Sequence, residues 1–102
     1  MKVYIAGKIT NDPDYREKFD HAAKVLRSVG DIPLNPAVLP DGLGPADCMR
    51  ICLAMLDTAD AILLLPDHNS SRGASIELSL AHYEGKLVLY MEPGDMIDIH
   101  DE

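Results

Sequence analysis

The sequence contains only two cysteines in 102 residues, Cys48 and Cys52, four positions apart in a helical pattern. With no partner cysteine elsewhere, a disulfide framework is excluded. Zinc ligation would need two further ligands, and no histidine or cysteine stands at finger-like spacing. We therefore predict buried, reduced thiols, no metal site and no other cofactor.

Positive charge is also scarce. Lys and Arg number 9 against 17 Asp and Glu, which gives a formal net charge of −8. The affinity of proteins for nucleic acid polymers comes largely from neutralising backbone phosphates, so a polymer of this kind is excluded as a partner. A small phosphorylated ligand stays open, because a helix N-terminus with one or two cations can hold one phosphate.

Long apolar runs are absent too, and no segment approaches the roughly 20 apolar residues of a membrane span. The first residues begin a strand pattern rather than a signal peptide, so we expect no membrane partner and a cytoplasmic location. The length suits one hydrophobic core. We predict a single domain over residues 1–91, followed by a loosely ordered acidic tail, 92–102.

Apolar runs and turn residues alternate along the chain and predict four strands separated by three helices. The strands are expected at residues 3–6, 31–34, 61–65 and 86–90. The first helix is capped by Asp12, begins at Pro13 and stops at Gly30; the others cover 46–58 and about 73–85.

Right-handed crossovers then give a doubly wound α/β fold, a Rossmann- or flavodoxin-like three-layer sandwich. Its parallel sheet has four strands, or five, in the order 2-1-3-4, with helices on both faces. In such sheets the ligand lies at the carboxyl ends of the strands where the order reverses. The turn at Gly7 and the loop before Gly73 should flank that crevice.

The segment 46–58 is apolar almost all round, with a narrow polar stripe formed by Asp47, Arg50 and Asp57. A helix of this kind is either wrapped by the core or covered by a partner. Because the domain is small, we predict a homodimer or higher homo-oligomer through the 47–58 helix.

Glu77 shares a helical stripe with Ala74 and Ala81, which predicts a partly buried carboxylate near the crevice. Burial of a carboxylate costs free energy unless hydrogen bonds or a ligand offset it, so the position suggests function. The alternative is a Glu that is simply favoured by the positive end of the helix dipole.

Ser71, Arg72 and Gly73 begin the same helix and offer a hydroxyl, a cation and backbone N–H groups to an anion. Lys8, in the turn after Gly7, adds a second cation from across the crevice. The alternative is an ordinary helix cap. The Gly7 turn lacks the spacing of a Walker loop, and no Ser-His-Asp or Cys-His arrangement stands out.

Together, the segments 4–7, 47–60, 61–65 and 71–77 resemble the nucleoside 2-deoxyribosyltransferase-like superfamily over nearly the whole chain. Within it, the sequence is most similar to the short DUF4406 domain proteins of phage and bacterial genomes, especially over 47–56. This resemblance implies cleavage or transfer at the N-glycosidic bond of a (deoxy)nucleoside or its 5′-monophosphate.

In the enzymes of that superfamily a Glu on this helix is the nucleophile, and the spacing from Ser71 and Gly73 puts Glu77 in that place. Ser71 then matches the serine that contacts the 5′-phosphate, while Tyr4 and Gly7 match residues bordering the sugar and nucleophile. One position departs from the pattern: Cys52 stands where the enzymes carry an Asp. Asp47 is the candidate substitute for that acid.

Three functional hypotheses follow. The first is an N-glycosidase or deoxyribosyl transferase, with Glu77 and Asp47 as catalytic residues. The second is a noncatalytic module that binds or sequesters a nucleotide, and the third is a structural or interaction protein.

Overall fold

Five strands and three α-helices alternate along the chain in a computed structural model that describes residues 1–100, without the side chain of His100. The strands are β1 (Lys2–Ala6), β2 (Ile32–Leu34), β3 (Ala61–Leu64), β4 (Leu87–Glu92) and β5 (Met96–His100). The helices are α1 (Tyr15–Ser28), α2 (Pro45–Thr58) and α3 (Arg72–Tyr83), with short 3₁₀ turns at Pro36–Val38 and His68–Ser70.

The strands form one sheet in the order β2-β1-β3-β4-β5. The first four run parallel, with Tyr4 opposite Ile62 and Ile62 opposite Val88, and β5 is antiparallel to β4. The predicted doubly wound α/β fold and the order 2-1-3-4 are confirmed. The reversal between β1 and β3 lies where the sequence indicated it.

Alternation along the strands divides the core into two layers. Val3 and Ile5 pack with Phe19 of α1 on one face, while Tyr4 and Ala6 pack with Leu56 of α2 on the other. The second layer also contains Ala74 and Ala81 of α3. The even-numbered residues of β1 therefore point toward the α2–α3 layer, which places the Tyr4 hydroxyl near α3.

Helix α1 begins later than predicted. Asp12 does not cap a helix that starts at Pro13; instead its side chain accepts a hydrogen bond from the Asp14 N–H at 2.9 Å, which closes a local turn. The helix starts at Tyr15, so the segment between Gly7 and Asp14 forms a longer loop at the crevice. The predicted stop is correct, since the helix ends just before Gly30, which has a φ of +87°.

The prediction of a loosely ordered tail is wrong for residues 96–100, which form β5 along the edge of the sheet. The turn before β5 contains Gly94 and Asp95, both with positive φ, and so reverses the chain tightly. Ile97 then packs against the core layer that contains α1. Residues 101–102 of the predicted tail lie outside the described residues.

Helix α2 is not wrapped by the core. Its buried residues are Cys52 and Leu56, while Ile51 is exposed. Of the two alternatives for this helix, a core that surrounds it is therefore ruled out for the single chain. Within residues 1–100, no helix is long and apolar enough to cross a membrane.

Candidate active site

A cavity of about 740 Å³ opens at the carboxyl ends of β1 and β3, and its lining includes Tyr15 and Phe19 of α1 as well as residues of α2 and α3. It receives side chains from the loop after β1, from the loop between β2 and α2, from one face of α2 and from the start of α3. Seven of the eight residues predicted for the site line it, namely Tyr4, Gly7, Lys8, Ser71, Arg72, Gly73 and Glu77.

Gly7 allows the first wall of this cavity to form. The backbone continues the sheet past Ala6, whose carbonyl accepts a hydrogen bond from the Leu65 N–H at 2.9 Å. A Cβ added to Gly7 would lie 2.9 Å from Leu65 Cδ1 and 3.0 Å from Leu65 Cβ. Leu65 is itself buried and has little room to move, so only glycine fits at this close approach.

Glu77 is the central polar group of the site. Its side chain is 6% exposed, and its Oε2 accepts a hydrogen bond from the Tyr4 hydroxyl at 2.6 Å. Tyr4 is 1% exposed, and it reaches Glu77 because β1 directs its even-numbered side chains toward α3. The expected partial burial of Glu77 is thus accompanied by a short hydrogen bond between two elements far apart in sequence.

Burial raises the pKa of Glu77 to about 7, and the hydrogen bond from Tyr4 opposes that rise. Burial also raises the pKa of Tyr4, and the nearby Glu77 and Cys52 raise it further, so Tyr4 keeps its proton. Tyr4 is therefore a fixed donor. Glu77 can change its protonation state near neutral pH, as expected of a group that takes part in chemistry.

The start of α3 forms the second wall. Ser71 is the N-cap, and its Oγ accepts a hydrogen bond from the Ala74 N–H at 3.1 Å. Because the oxygen is the acceptor in that bond, the hydroxyl proton remains able to donate to a ligand. Arg72 is exposed at the cavity, and Lys8 lines it from the facing loop. The arrangement combines a helix N-terminus, a hydroxyl and two cations.

A lysine links the two loops that flank the cavity. Lys18 Nζ donates to the Lys8 carbonyl at 2.8 Å, to Asp12 Oδ2 at 2.6 Å and to Asp67 Oδ2. Asp67 Oδ1 in turn accepts a hydrogen bond from the Lys8 N–H at 3.0 Å. Both backbone groups of Lys8 are thus held by residues that do not line the cavity, whereas Lys8 itself does.

The third wall comes from α2 and carries sulfur. Cys48, Met49 and Cys52 line the cavity. Asp47 is not among the residues that line it: its side chain is half exposed and pairs with Arg50 at 2.5 Å. The structure therefore does not bring Asp47 together with the other predicted site residues. Cys52 occupies the position near Tyr4 and Glu77.

The predictions from sequence left out several residues of the site. Lys18 was not singled out, because its partners are contributed by two separate loops and no local motif marks them. No residue of the loop between β2 and α2 was predicted for the site, yet Leu39, Asp41 and Leu43 line the cavity. Its position next to the switch point was the available signal. Within residues 1–100, no cluster of His, Cys, Asp and Glu could hold a metal ion.

The sequence matches the family model for Domain of unknown function (DUF4406) over residues 1–90. The chain belongs to the DUF4406 family. Solved structures of two 2-deoxyribosyltransferases share the fold of this chain.

One similar structure is a 2-deoxyribosyltransferase from the psychrotolerant bacterium Bacillus psychrosaccharolyticus. It shares 23% identity and a TM-score of 0.72 over 96% of this DUF4406 chain and 77% of the other. A 2-desoxiribosyltransferase from Leishmania mexicana shares 19% identity and a TM-score of 0.70 over 98% of this chain and 79% of the other. At these identities the likeness establishes the fold. No curated protein matches the sequence.

Proposed function

We propose that this protein binds a nucleoside or its 5′-monophosphate in the cavity and cleaves or transfers its N-glycosidic bond, with Glu77 as the nucleophile. The observation that carries the proposal is the buried Glu77 carboxyl, oriented by the Tyr4 hydroxyl at 2.6 Å on the wall of a cavity large enough for a nucleotide. The two similar structures are both deoxyribosyltransferases, which supports the same reaction class.

The chemistry suits a carboxylate held in this way. A Glu77 oxygen attacks C1′ through an oxocarbenium-like transition state, the bond from C1′ to the base nitrogen breaks, and a glycosyl ester forms. Water or a second base then attacks C1′ and releases the carboxylate. Tyr4 holds Oε2, so the other oxygen of Glu77 is directed to the sugar. The α3 N-terminus, Ser71, Arg72 and Lys8 hold the 5′-phosphate.

Release of base from nucleoside 5′-monophosphates, followed by liquid chromatography, tests this proposal. Glu77→Gln keeps the shape of the side chain and removes the nucleophile, so the variant should lose at least about 1,000-fold in rate while remaining folded. Glu17→Gln removes an exposed carboxylate of α1 outside the cavity and should behave like the wild type. Equal rates in wild type and Glu77→Gln would exclude Glu77 as the nucleophile.

A second candidate is a noncatalytic module that binds or sequesters a nucleotide. The position of Cys52 favours it, because the resemblance implies an acid there and Asp47 lies away from the cavity. In this case Glu77 contacts the sugar without reacting. A nucleotide at 100 times its dissociation constant should then raise the stability by about 2.7 kcal/mol with no release of base.

A further inference from the structure

The wall of the cavity beside Glu77 is made of sulfur-containing side chains. Cys52 is 7% exposed, and its thiol lies close to both the Tyr4 hydroxyl and Glu77. Cys48 and Met49 continue this surface along α2 toward the opening. A base attached to C1′ of a sugar at Glu77 would meet this wall, which is apolar and polarisable.

This composition limits how a base can leave. An uncharged purine or pyrimidine departs readily only when a general acid protonates it, an effect worth about 10²- to 10⁴-fold in rate. Within residues 1–100, the carboxyl groups that line the cavity are Asp41 and Glu77, and the lining includes no imidazole. Asp41 is 91% exposed and pairs with Arg16 at 2.8 Å. Glu77 is the nucleophile and cannot also be the acid.

The remaining hydroxyl and thiol groups near Glu77 are poor proton donors. Tyr4 already donates its hydrogen bond to Glu77, and its pKa is raised. Burial raises the pKa of the Cys52 thiol, and the nearby Glu77 and Cys48 raise it further, so this thiol is a weaker acid than an ordinary cysteine. The site thus has a nucleophile without a matched acid beside the leaving group.

Resting on the proposed function, we propose that the preferred substrates are nucleotides whose glycosidic ring nitrogen already carries a positive charge, such as pyridinium nucleotides or N7-alkylated purine nucleotides. A Glu77 oxygen forms the bond to C1′ as the C1′–N bond breaks, and the electron pair of that bond neutralises the ring nitrogen. The base leaves uncharged and needs no proton. Water then attacks C1′, Glu77 departs, and the water proton passes to Glu77 and on to solvent.

Charge supports this substrate class. A cationic ring beside Glu77 stabilises the ionised carboxylate, which burial otherwise disfavours. The anionic end of such a nucleotide has its own partners at the other side of the cavity, where Lys8, Ser71 and Arg72 lie. A substrate with a positive ring and a negative phosphate matches both ends.

Two matched pairs of substrates test the proposal by release of base, in the ribose and the 2-deoxyribose series. The first pair compares 7-methylguanosine 5′-monophosphate with guanosine 5′-monophosphate. The second pair compares nicotinamide mononucleotide with its reduced form, whose ring is uncharged. The kcat/KM of each compound is divided by the rate constant of its own uncatalysed cleavage. In at least one pair, this normalised kcat/KM should be about 100-fold higher for the compound with the charged ring than for the compound with the uncharged ring. The pair that shows this difference indicates whether the site recognises a charged purine or a pyridinium ring.

A second experiment introduces an acid at position 52, beside the proposed position of the base. Cys52→Asp should increase the release of base from guanosine 5′-monophosphate by about tenfold or more and leave the charged member of the pair without a gain. Circular dichroism checks that the variant is folded. If it is not, the comparison of substrate pairs in the wild-type protein still tests the inference. Similar kcat/KM within both pairs would overturn this inference and leave the proposed function intact. Release of base from no member of either pair, despite binding, would overturn both.

Discussion

At the scale of single residues, Glu77 combines three properties that are rarely found together in a structural side chain. It is buried, it has one short hydrogen bond from a tyrosine, and its pKa is raised to about 7. A carboxyl that served stability alone would gain from more hydrogen bonds or from a cation nearby. The fold therefore holds Glu77 at a cost in stability.

The pH dependence of stability measures that cost. Folded Glu77 keeps its proton up to about pH 7, whereas the unfolded chain releases it near the ordinary pKa of 4.5. Between those values the folded state binds more protons, so its stability falls as the pH rises, by about 3 kcal/mol from this group. Glu77→Gln does not titrate. Its free energy of unfolding relative to wild type should therefore rise between pH 5 and pH 8.

Urea unfolding of both proteins at the two pH values gives this difference, and other titrating groups cancel in it. Glu17→Gln, which alters an exposed carboxylate, serves as the control and should show no such trend. An equal effect of Glu77→Gln at pH 5 and at pH 8 would mean that the carboxyl is ionised throughout, contrary to the account.

At the scale of elements, the N-terminus of α3 can be tested through Gly73. A Cβ at this position would lie 3.6 Å from Met49 Cε, an ordinary contact, so the protein itself has room for alanine. Gly73→Ala should raise the stability by about 0.5–1 kcal/mol, as expected for a helical glycine. The added methyl group would, however, obstruct the approach of a phosphate to the backbone that we propose at the start of α3.

Calorimetry with a nucleoside and its 5′-monophosphate separates the two effects. Wild type should prefer the monophosphate by at least about 1 kcal/mol, and Gly73→Ala should remove most of that preference while nucleoside binding changes little. If wild type binds both ligands equally, the phosphate role of Ser71, Arg72, Gly73 and Lys8 is wrong.

The elements themselves were largely predictable from the sequence, because their signals are local. The apolar run of β3 and the stop at Gly30 each depend on neighbouring residues, and both were found. The start of α1 was missed because the Asp12 side chain bonds to the Asp14 N–H, a turn that competes with capping. A fifth strand was left open, but its position in the predicted acidic tail was missed because its pairing with β4 and the packing of Ile97 are contacts that composition does not encode.

In the candidate site, too, features that depend on local sequence were predictable and contacts between distant segments were not. Residues at strand ends and helix starts, such as Gly7 and Ser71, could be placed from topology alone. Contacts between separate loops could not, and the bonds from Lys18 to Asp12 and Asp67 are the clearest case. Asp47 was proposed from its sequence distance to Cys52, and the orientation of α2 directs it to Arg50 instead.

At the scale of the whole molecule, we still predict that the protein self-associates through the outer surface of α2. Ile51 on α2 and Ile76 on α3 are 38% and 46% exposed on the same side of the sheet. Light scattering at micromolar concentration should show a dimer or larger assembly. Ile51→Asp should shift it toward monomer, whereas Val29→Asp, at an exposed position after α1, should not. A monomeric wild type would exclude association through α2.

The central claim, that Glu77 forms a covalent bond to the sugar, is tested most directly by trapping that bond. A fluorine at C2′ slows both steps by destabilising the oxocarbenium-like state, and a good leaving group lets the first step proceed so that the ester accumulates. The protein is incubated with a 2′-fluorinated nicotinamide nucleotide, digested and mapped by mass spectrometry. If Glu77 is the nucleophile, a fluoroglycosyl phosphate adduct is found on Glu77 and is absent in Glu77→Gln. Release of nicotinamide without any adduct, or an adduct on another residue, would contradict it.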